Sequence, residues 1–490
     1  MTSTERLFLQ LERPGFPFDI AGLLMLEAAP EGPLPFEQVR ALFNQRYHMA
    51  PLMTRVYAPA PLGVGQDRWA QAQAVDIDAH IHHALVPEPG DTDALLATML
   101  QLSEKPLDRR LPLWDAWYLT GMADGTAALL MRMHHAAIDG MGIMQLQRTL
   151  HDTKPVSVDP NEEPVPHSRG HRPSVLRRAL YEIPDRVAIE TAATTRLAKQ
   201  AGSAVTDLAR TTVRRAVGIV PKLGPLISGN PPDEPAHLPE LPGFVPSPIS
   251  HPPLTLFNRH VYDSTKTMAV ISLPLTDVER VRAGFPDVTV NDILLALVTG
   301  TLRSYLAAHD DLPEGPIRTT CPVNIRPSAD KARLGNLFTT IWIDLPTHLS
   351  DPAQRLLAVH ENAESAKRSL RQTQASWQVL SGVGDLMLPA VTAAGLSFVG
   401  RALDLLPPTQ NLTVSTVLGS RKPIYLATRK ITHQFARTII CPPITLFICS
   451  VTYNGFVDFS ITSVAQLCPD PKTLTEGLQI ELDRLLASAS

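Results

Sequence analysis

Met133-His134-His135-Ala136-Ala137-Ile138-Asp139-Gly140 separates two segments of different periodicity. Upstream, Thr126-Ala127-Ala128-Leu129-Leu130-Met131 is a short unbroken apolar run, the pattern of a buried strand. Downstream, Met141-Gly142-Ile143-Met144-Gln145-Leu146 starts a helix. A histidine pair therefore sits at a strand end, where a rigid scaffold meets substrate. Imidazole titrates near pH 6.5, about the right value for proton transfer close to neutrality. If the strand persists, His134 and His135 turn to opposite faces, and only one of them points at a given substrate. Asp139 has two roles open to it: accepting from a histidine ring nitrogen, or fixing the loop through an arginine. Its place before Gly140 at a helix start suits the second, because a carboxylate there meets the positive end of the helix dipole. Isolated histidine pairs are commonly structural, so the pair alone does not decide the chemistry.

The rest of the chain narrows the class. Its 490 residues exceed one ordinary core, so at least two domains are expected. A composition of 44% hydrophobic and 19% charged residues is that of a globular protein. A net charge of −4 gives no reason to propose nucleic acid as a partner. Cys321, Cys441, Cys449 and Cys468 lack C-x-x-C spacing, which argues against a disulfide framework or a zinc site and fits a reducing compartment. The N-terminal residues lack the order of a signal peptide. Leu386 to Gly400 is uncharged but short for a membrane span and contains Pro389. Thr438 to Val457 is broken by Pro442-Pro443, and its Tyr453-Asn454-Gly455 reads as a hairpin turn, so strand–turn–strand is expected.

Strands and helices alternate in both halves, which predicts an α/β fold. The divisions are 1–153, a proline-rich connection over 154–253, and 254–490. Helical spacing appears at Ala94, Leu95, Met99 and Leu102, and strand patterns at Trp117-Tyr118-Leu119, Ala269 to Leu273 and Thr339 to Ile343. Asn291 to Val298 is apolar nearly all round and reads as a buried helix. Asp351-Pro352 opens another helix, and 473–487 is a last amphipathic one. Within the connection, Arg169 to Lys222 carries a charge excess of +7. A basic amphipathic helix there either lies on an anionic membrane surface or presents a solvated arginine face.

A second pair in Asp78-Ala79-His80-Ile81-His82-His83 has no Asp-Gly after it. His80, His82 and His83 lack accompanying ligands of suitable spacing, so no metal is expected. Neither a Gly-rich phosphate loop nor a G-x-S-x-G elbow occurs, and a serine-type covalent mechanism lacks support.

The sequence resembles the bacterial wax ester synthase/diacylglycerol acyltransferase family, within the H-H-x-x-x-D-G acyltransferase superfamily. The resemblance rests on an ordered set: Leu7 to Glu12, Pro106-Leu107-Asp108, Pro112-Leu113-Trp114, His134 to Gly140, Asn291-Asp292, Pro322 to Pro327, Leu334-Gly335-Asn336, Asp351-Pro352 and Tyr453-Asn454-Gly455. Two regions depart from the family pattern: Ser415-Thr416-Val417-Leu418-Gly419, and Thr438-Ile439-Ile440-Cys441-Pro442-Pro443.

The resemblance implies two chloramphenicol-acetyltransferase-like (CoA-dependent acyltransferase) domains with a tunnel between them. It implies transfer of a long-chain acyl group from acyl-CoA, a substrate, to the hydroxyl of diacylglycerol or a long-chain alcohol, with no cofactor. His135 is then the general base, His134 its support, and Asp139 the residue that holds the loop. Asn291 is the candidate oxyanion donor, although asparagine before a helix is also an ordinary N-cap. Gly140, Pro112, Leu113, Trp114, Asp292 and Ser415 are expected at the substrate-binding surface, with Trp114 also suited to packing an inter-domain wall. A water-insoluble acceptor implies a cytoplasmic protein peripherally associated with the membrane or with lipid droplets. Two alternatives remain. One is a carrier-protein-dependent acyltransferase of the condensation-domain type, and the other is a non-catalytic lipid-binding relative.

Overall fold

The computed structural model describes residues 1–60, 67–72, 74–138, 140–161, 251–324, 338–386, 408–442 and 444–489. The basic segment, Asp139 and the stretch after Leu386 up to Gly400 lie outside the described residues.

The first half contributes α1 (Ser3–Leu11), β1 (Asp19–Leu26), α2 (Phe36–Arg46), β2 (Arg55–Ala58), β3 (Arg68–Gln71), β4 (Ile81–Leu85), α3 (Thr92–Leu102), β5 (Trp114–Thr120), β6 (Ala127–His134) and α4 (Gly140–Leu150). The second contributes β7 (Lys266–Pro274), α5 (Leu275–Gly284), α6 (Val290–Ala308), β8 (Ile317–Asn324), β9 (Phe338–Leu345) and α7 (Pro352–Leu386). It continues through β10 (Leu412–Leu418), β11 (Tyr425–Leu426), β12 (Arg429–Arg437), β13 (Leu446–Tyr453), β14 (Phe456–Val464) and α8 (Lys472–Ser488).

Two six-stranded sheets carry the molecule, ordered β11-β12-β1-β6-β5-β4 and β7-β14-β13-β10-β8-β9. β6 is buried along its whole length, as its unbroken apolar run requires. α6 is the buried helix expected from its all-round apolar sequence, lying in one core with α8 and the inner face of the second sheet. The turn joining β13 to β14 takes positive φ at both Asn454 (49°) and Gly455 (84°), the geometry of a two-residue hairpin.

The first sheet is completed by the second half of the chain, because β11 and β12 join it beside β1. β11 pairs with β12 only at Tyr425↔Lys430 and Leu426↔Arg429, so most of that edge of β12 lacks a strand partner. Side chains of β14 meet it instead: the Gln434 N–H donates to Asp458 Oδ2 at 2.7 Å and the Ala436 N–H to Ser460 Oγ at 3.0 Å. Asp458 also accepts from Ser272 Oγ at 2.6 Å and contacts His433 Nδ1 at 2.9 Å. An open edge that would otherwise invite pairing with another chain is thereby used to dock the two sheets.

Candidate active site

The site is built at the end of β6. There the register sets His134 opposite Asp19 of β1, and the His134 N–H donates to Leu113 C=O at 3.0 Å. The His135 N–H donates to Phe18 C=O at 2.8 Å. The backbone of both histidines is thus tied to neighbouring segments before either ring acts.

The rings diverge as the strand periodicity requires. His134 is 1% exposed, and its Nδ1 accepts from the Ala136 N–H at 3.0 Å. That bond leaves Nδ1 without a proton and places the ring proton on Nε2, which faces Glu12 Oε2 at 3.4 Å. Glu12 is the neighbour of His134 to which the sequence reading gave no role. Its Oε2 accepts from the Phe18 N–H at 3.2 Å, and its Oε1 accepts from Arg109 Nη2 at 3.0 Å. Burial pushes the Glu12 carboxyl up, but the His134 ring, the Phe18 N–H and the Arg109 guanidinium outweigh it and bring its pKa from 4.5 down to about 2. The Phe18 peptide therefore spans the two supports, donating to Glu12 and accepting from His135. His135 is half-buried, with its ring centroid 4.6 Å from that of Phe8 on α1.

The charged residues beneath the motif form a buried ladder across four strands. Arg132 of β6 pairs with Asp115 of β5, and Asp19 of β1 accepts from Arg437 Nη2 of β12 at 2.5 Å. Arg132 Nη1 lies 4.0 Å from Asp19 Oδ2 and joins the two pairs. The outermost member comes from the second half of the chain, which ties that half to the strand ending in the histidines.

The other expected site residues fall in separate places. Gly140 opens α4. Pro112 bridges to Val56, and Leu113 is buried behind His134. Trp114 is 1% exposed, donates from Nε1 to Met53 C=O at 3.0 Å and stacks on His80 at 4.3 Å. It packs the first core, the packing role the sequence also allowed it. Asn291 lies in the first turn of α6, half-buried, while the N-cap is Thr289. Asp292 follows Asn291 in the same turn. It is fully buried, accepts from the Thr289 N–H and hydroxyl at 3.0 and 2.8 Å, and contacts His360 Nδ1 at 2.9 Å. Its Oδ2 makes all of these contacts and caps the start of α6. Ser415 of β10 is half-buried and pairs with Cys449 of β13. The histidines of β4 serve separate contacts: His80 Nδ1 with Trp114 C=O at 2.7 Å, His82 with the Trp117 ring, and His83 Nε2 with the Thr120 hydroxyl at 2.9 Å.

Two sheets joined at a crossover strand, with a histidine pair at a buried strand end, define the two-lobed α/β acyltransferase fold. Two family models match, the wax ester synthase/diacylglycerol acyltransferase catalytic domain over residues 1–227 and the WS/DGAT C-terminal domain over 334–486. The chain belongs to this family and is an acyltransferase. It is 29% identical over 490 residues to a probable diacylglycerol O-acyltransferase of Mycobacterium tuberculosis, tgs2, covering 99% of this chain and 98% of that protein. Among solved structures it is similar to the wax ester synthase/diacylglycerol acyltransferase from Marinobacter aquaeolei VT8, with a TM-score of 0.62 and 21% identity over 99% and 98% of the two chains. It also shares the fold of the first condensation domain of the calcium-dependent antibiotic synthetase, with a TM-score of 0.56 and 14% identity over 100% and 95%.

Proposed function

We propose that the chain transfers a long-chain acyl group from acyl-CoA to the hydroxyl of diacylglycerol or a long-chain alcohol, with His135 as general base. The imidazole takes the proton of the acceptor hydroxyl as that oxygen attacks the thioester carbonyl. The resulting imidazolium returns a proton to the departing CoA thiolate, so charge and protons balance without an acyl-enzyme. A positioned base of this kind contributes about 10²–10⁴-fold. The observation that carries the reading is the division of labour in the pair. His134 is turned into the protein, its Nδ1 accepting from the Ala136 N–H and its Nε2 lying 3.4 Å from Glu12 Oε2, while His135 sits half-buried at the loop. Direct transfer also agrees with the thiols: burial pushes Cys321 and Cys449 up to about 12 and Cys468 up to about 11, leaving them protonated at neutral pH.

Asn291 serves as the oxyanion donor in this scheme. It lies half-buried in the first turn of α6, beside Asp292, whose Oδ2 caps the helix. Asp139 holds the loop, and no cofactor takes part. The acceptors are membrane-dissolved, so the reading includes contact with a membrane or lipid-droplet surface through the basic segment. No helix among the described residues is long and apolar enough to cross a membrane. Thiol release from palmitoyl-CoA, measured with diacylglycerol, with hexadecanol and without acceptor, tests the reaction. Acceptor-dependent release supports it, and silence with every acceptor favours the lipid-binding alternative. Palmitoyl-carrier protein replacing palmitoyl-CoA as the better donor favours the condensation-type alternative. Sedimentation with anionic liposomes tests the surface contact. Pelleting unchanged after neutralising Arg177, Arg178, Arg214 and Arg215 counts against it.

A further inference from the structure

Arg13 to Phe16 forms a tight turn between α1 and β1. It is closed by the Phe16 N–H donating to Arg13 C=O at 2.9 Å and the Arg13 N–H to Phe16 C=O at 3.4 Å. The residues on its two sides support the histidine pair. Glu12 precedes the turn and lies 3.4 Å from His134 Nε2. Phe18 follows it, accepts from the His135 N–H at 2.8 Å and donates its own N–H to Glu12. The Phe18 ring centroid is 5.8 Å from that of Phe8, the ring that packs on His135. A shift of this one turn therefore moves the supports of both histidines.

The second half of the chain grips the turn. Lys266, the first residue of β7, donates from Nζ to Gly15 C=O at 2.8 Å and to Ser264 C=O at 3.4 Å. The same Nζ lies 5.4 Å from the centroid of the Phe16 ring. Arg13 Nη2 donates to Pro442 C=O at 3.4 Å. Gly15 has a φ of 79°, and a Cβ there would meet the Ser264 hydroxyl at 2.5 Å, so the two segments are in contact. Lys266 is half-buried. Burial pulls it from 10.5 down to about 8 and Arg437 adds to the fall, while Asp19, Glu104 and Cys441 oppose it. Enclosure strips water from the amine, and the two carbonyls and the ring take the place of that water.

We propose that Lys266 is a positioning residue for the transfer reaction, holding the Arg13–Phe16 turn so that Glu12 and the Phe18 peptide orient His134 and His135. It acts through the turn and not on substrate. The catalytic consequence rests on the proposed function, whereas the hold on the turn does not.

The test compares the full chain as wild type, Lys266→Met and Lys266→Arg in two measurements. The first is amide hydrogen exchange without substrate, read by mass spectrometry. Methionine keeps the apolar stem and removes the donor, and arginine keeps charge and donors. Lys266→Met should exchange the Phe18 and His135 amides at least about tenfold faster, the size of a lost hydrogen bond from a charged group. The Leu129 and Leu130 amides of β6 should be unchanged, and Lys266→Arg should lie close to wild type. Unchanged Phe18 and His135 amides in Lys266→Met overturn the proposal. So does acceleration that β6 shares or that arginine does not reverse, and so does a Lys266→Met chain that fails to fold, because the contact would then serve the fold and not the site. The second measurement is steady-state thiol release from palmitoyl-CoA with diacylglycerol. Lys266→Met should lower kcat about tenfold with KM for palmitoyl-CoA nearly unchanged, and Lys266→Arg should recover it. Full kcat in a Lys266→Met chain with loosened amides overturns the positioning role. Exchange is read without turnover, so a wild type inactive with every acceptor counts against the proposed function, while the amides still decide the hold on the turn.

Discussion

His134 and His135 are neighbours with opposite prospects. The Ala136 N–H occupies the lone pair of His134 Nδ1, and its Nε2 faces a carboxylate inside the protein. A ring in that state cannot accept a proton from substrate without losing a contact, which is why His135 is the proposed base. Glu12→Gln keeps the shape of the support and removes its charge. Loss of a charged hydrogen-bond partner costs about 1.5–3 kcal/mol, so kcat should fall roughly tenfold to a hundredfold with a smaller change in KM, measured by steady-state thiol release. The same residue shapes acid stability. The folded-state pKa of about 2 lies below the ordinary 4.5, so the unfolded chain takes up the proton first. The contribution of Glu12 is complete above 4.5 and is lost as pH falls through 4.5 toward 2. Melting temperatures followed from neutral pH into that range should fall less steeply for Glu12→Gln than for wild type. The histidine pair was legible because a strand pattern ends there. Glu12 was not, because its partner lies far along the chain and a lone acid beyond a helix end gives no sign of what it will meet.

At the scale of single elements, local rules decided much of the outcome. β6, the turn between β13 and β14, α6 and the final helix follow from apolar runs, turn residues and helical spacing. The local surroundings of Asn291-Asp292 were not legible in the sequence. Thr289 and Asp292 form a reciprocal capping box, which sets the helix start at Val290 and gives the aspartate a capping role. Asp292→Ala is therefore expected to cost about 1–2 kcal/mol of stability, in the range of a lost cap, and to leave KM for acyl-CoA unchanged. Urea unfolding and steady-state kinetics on the same preparation check both parts. A large rise in KM with normal stability would restore the substrate-binding role.

At the scale of the whole molecule, the decisive feature was invisible in the sequence. Both halves read as alternating strands and helices, and nothing in the pattern of Arg429 to Arg437 shows that this strand crosses to the first sheet. The crossing is fixed by long-range contacts: Arg437 with Asp19, and Asp458 with Ser272, His433 and the Gln434 N–H. Asp458→Ala removes a fully buried acceptor and strands its donors, a loss of about 3 kcal/mol by the usual penalty for breaking a buried charged contact. Denaturant unfolding measures it. A change below about 0.5 kcal/mol, the size of an ordinary surface substitution, would show that the docking of the sheets does not depend on it.

The proposed reaction depends on His135 as its base. Its most direct test is the rate of CoA release from palmitoyl-CoA with saturating diacylglycerol, compared between wild type and a folded His135→Ala chain. The base assignment predicts a fall in kcat of about 10²–10⁴-fold with palmitoyl-CoA still bound. Undiminished release by His135→Ala would contradict it.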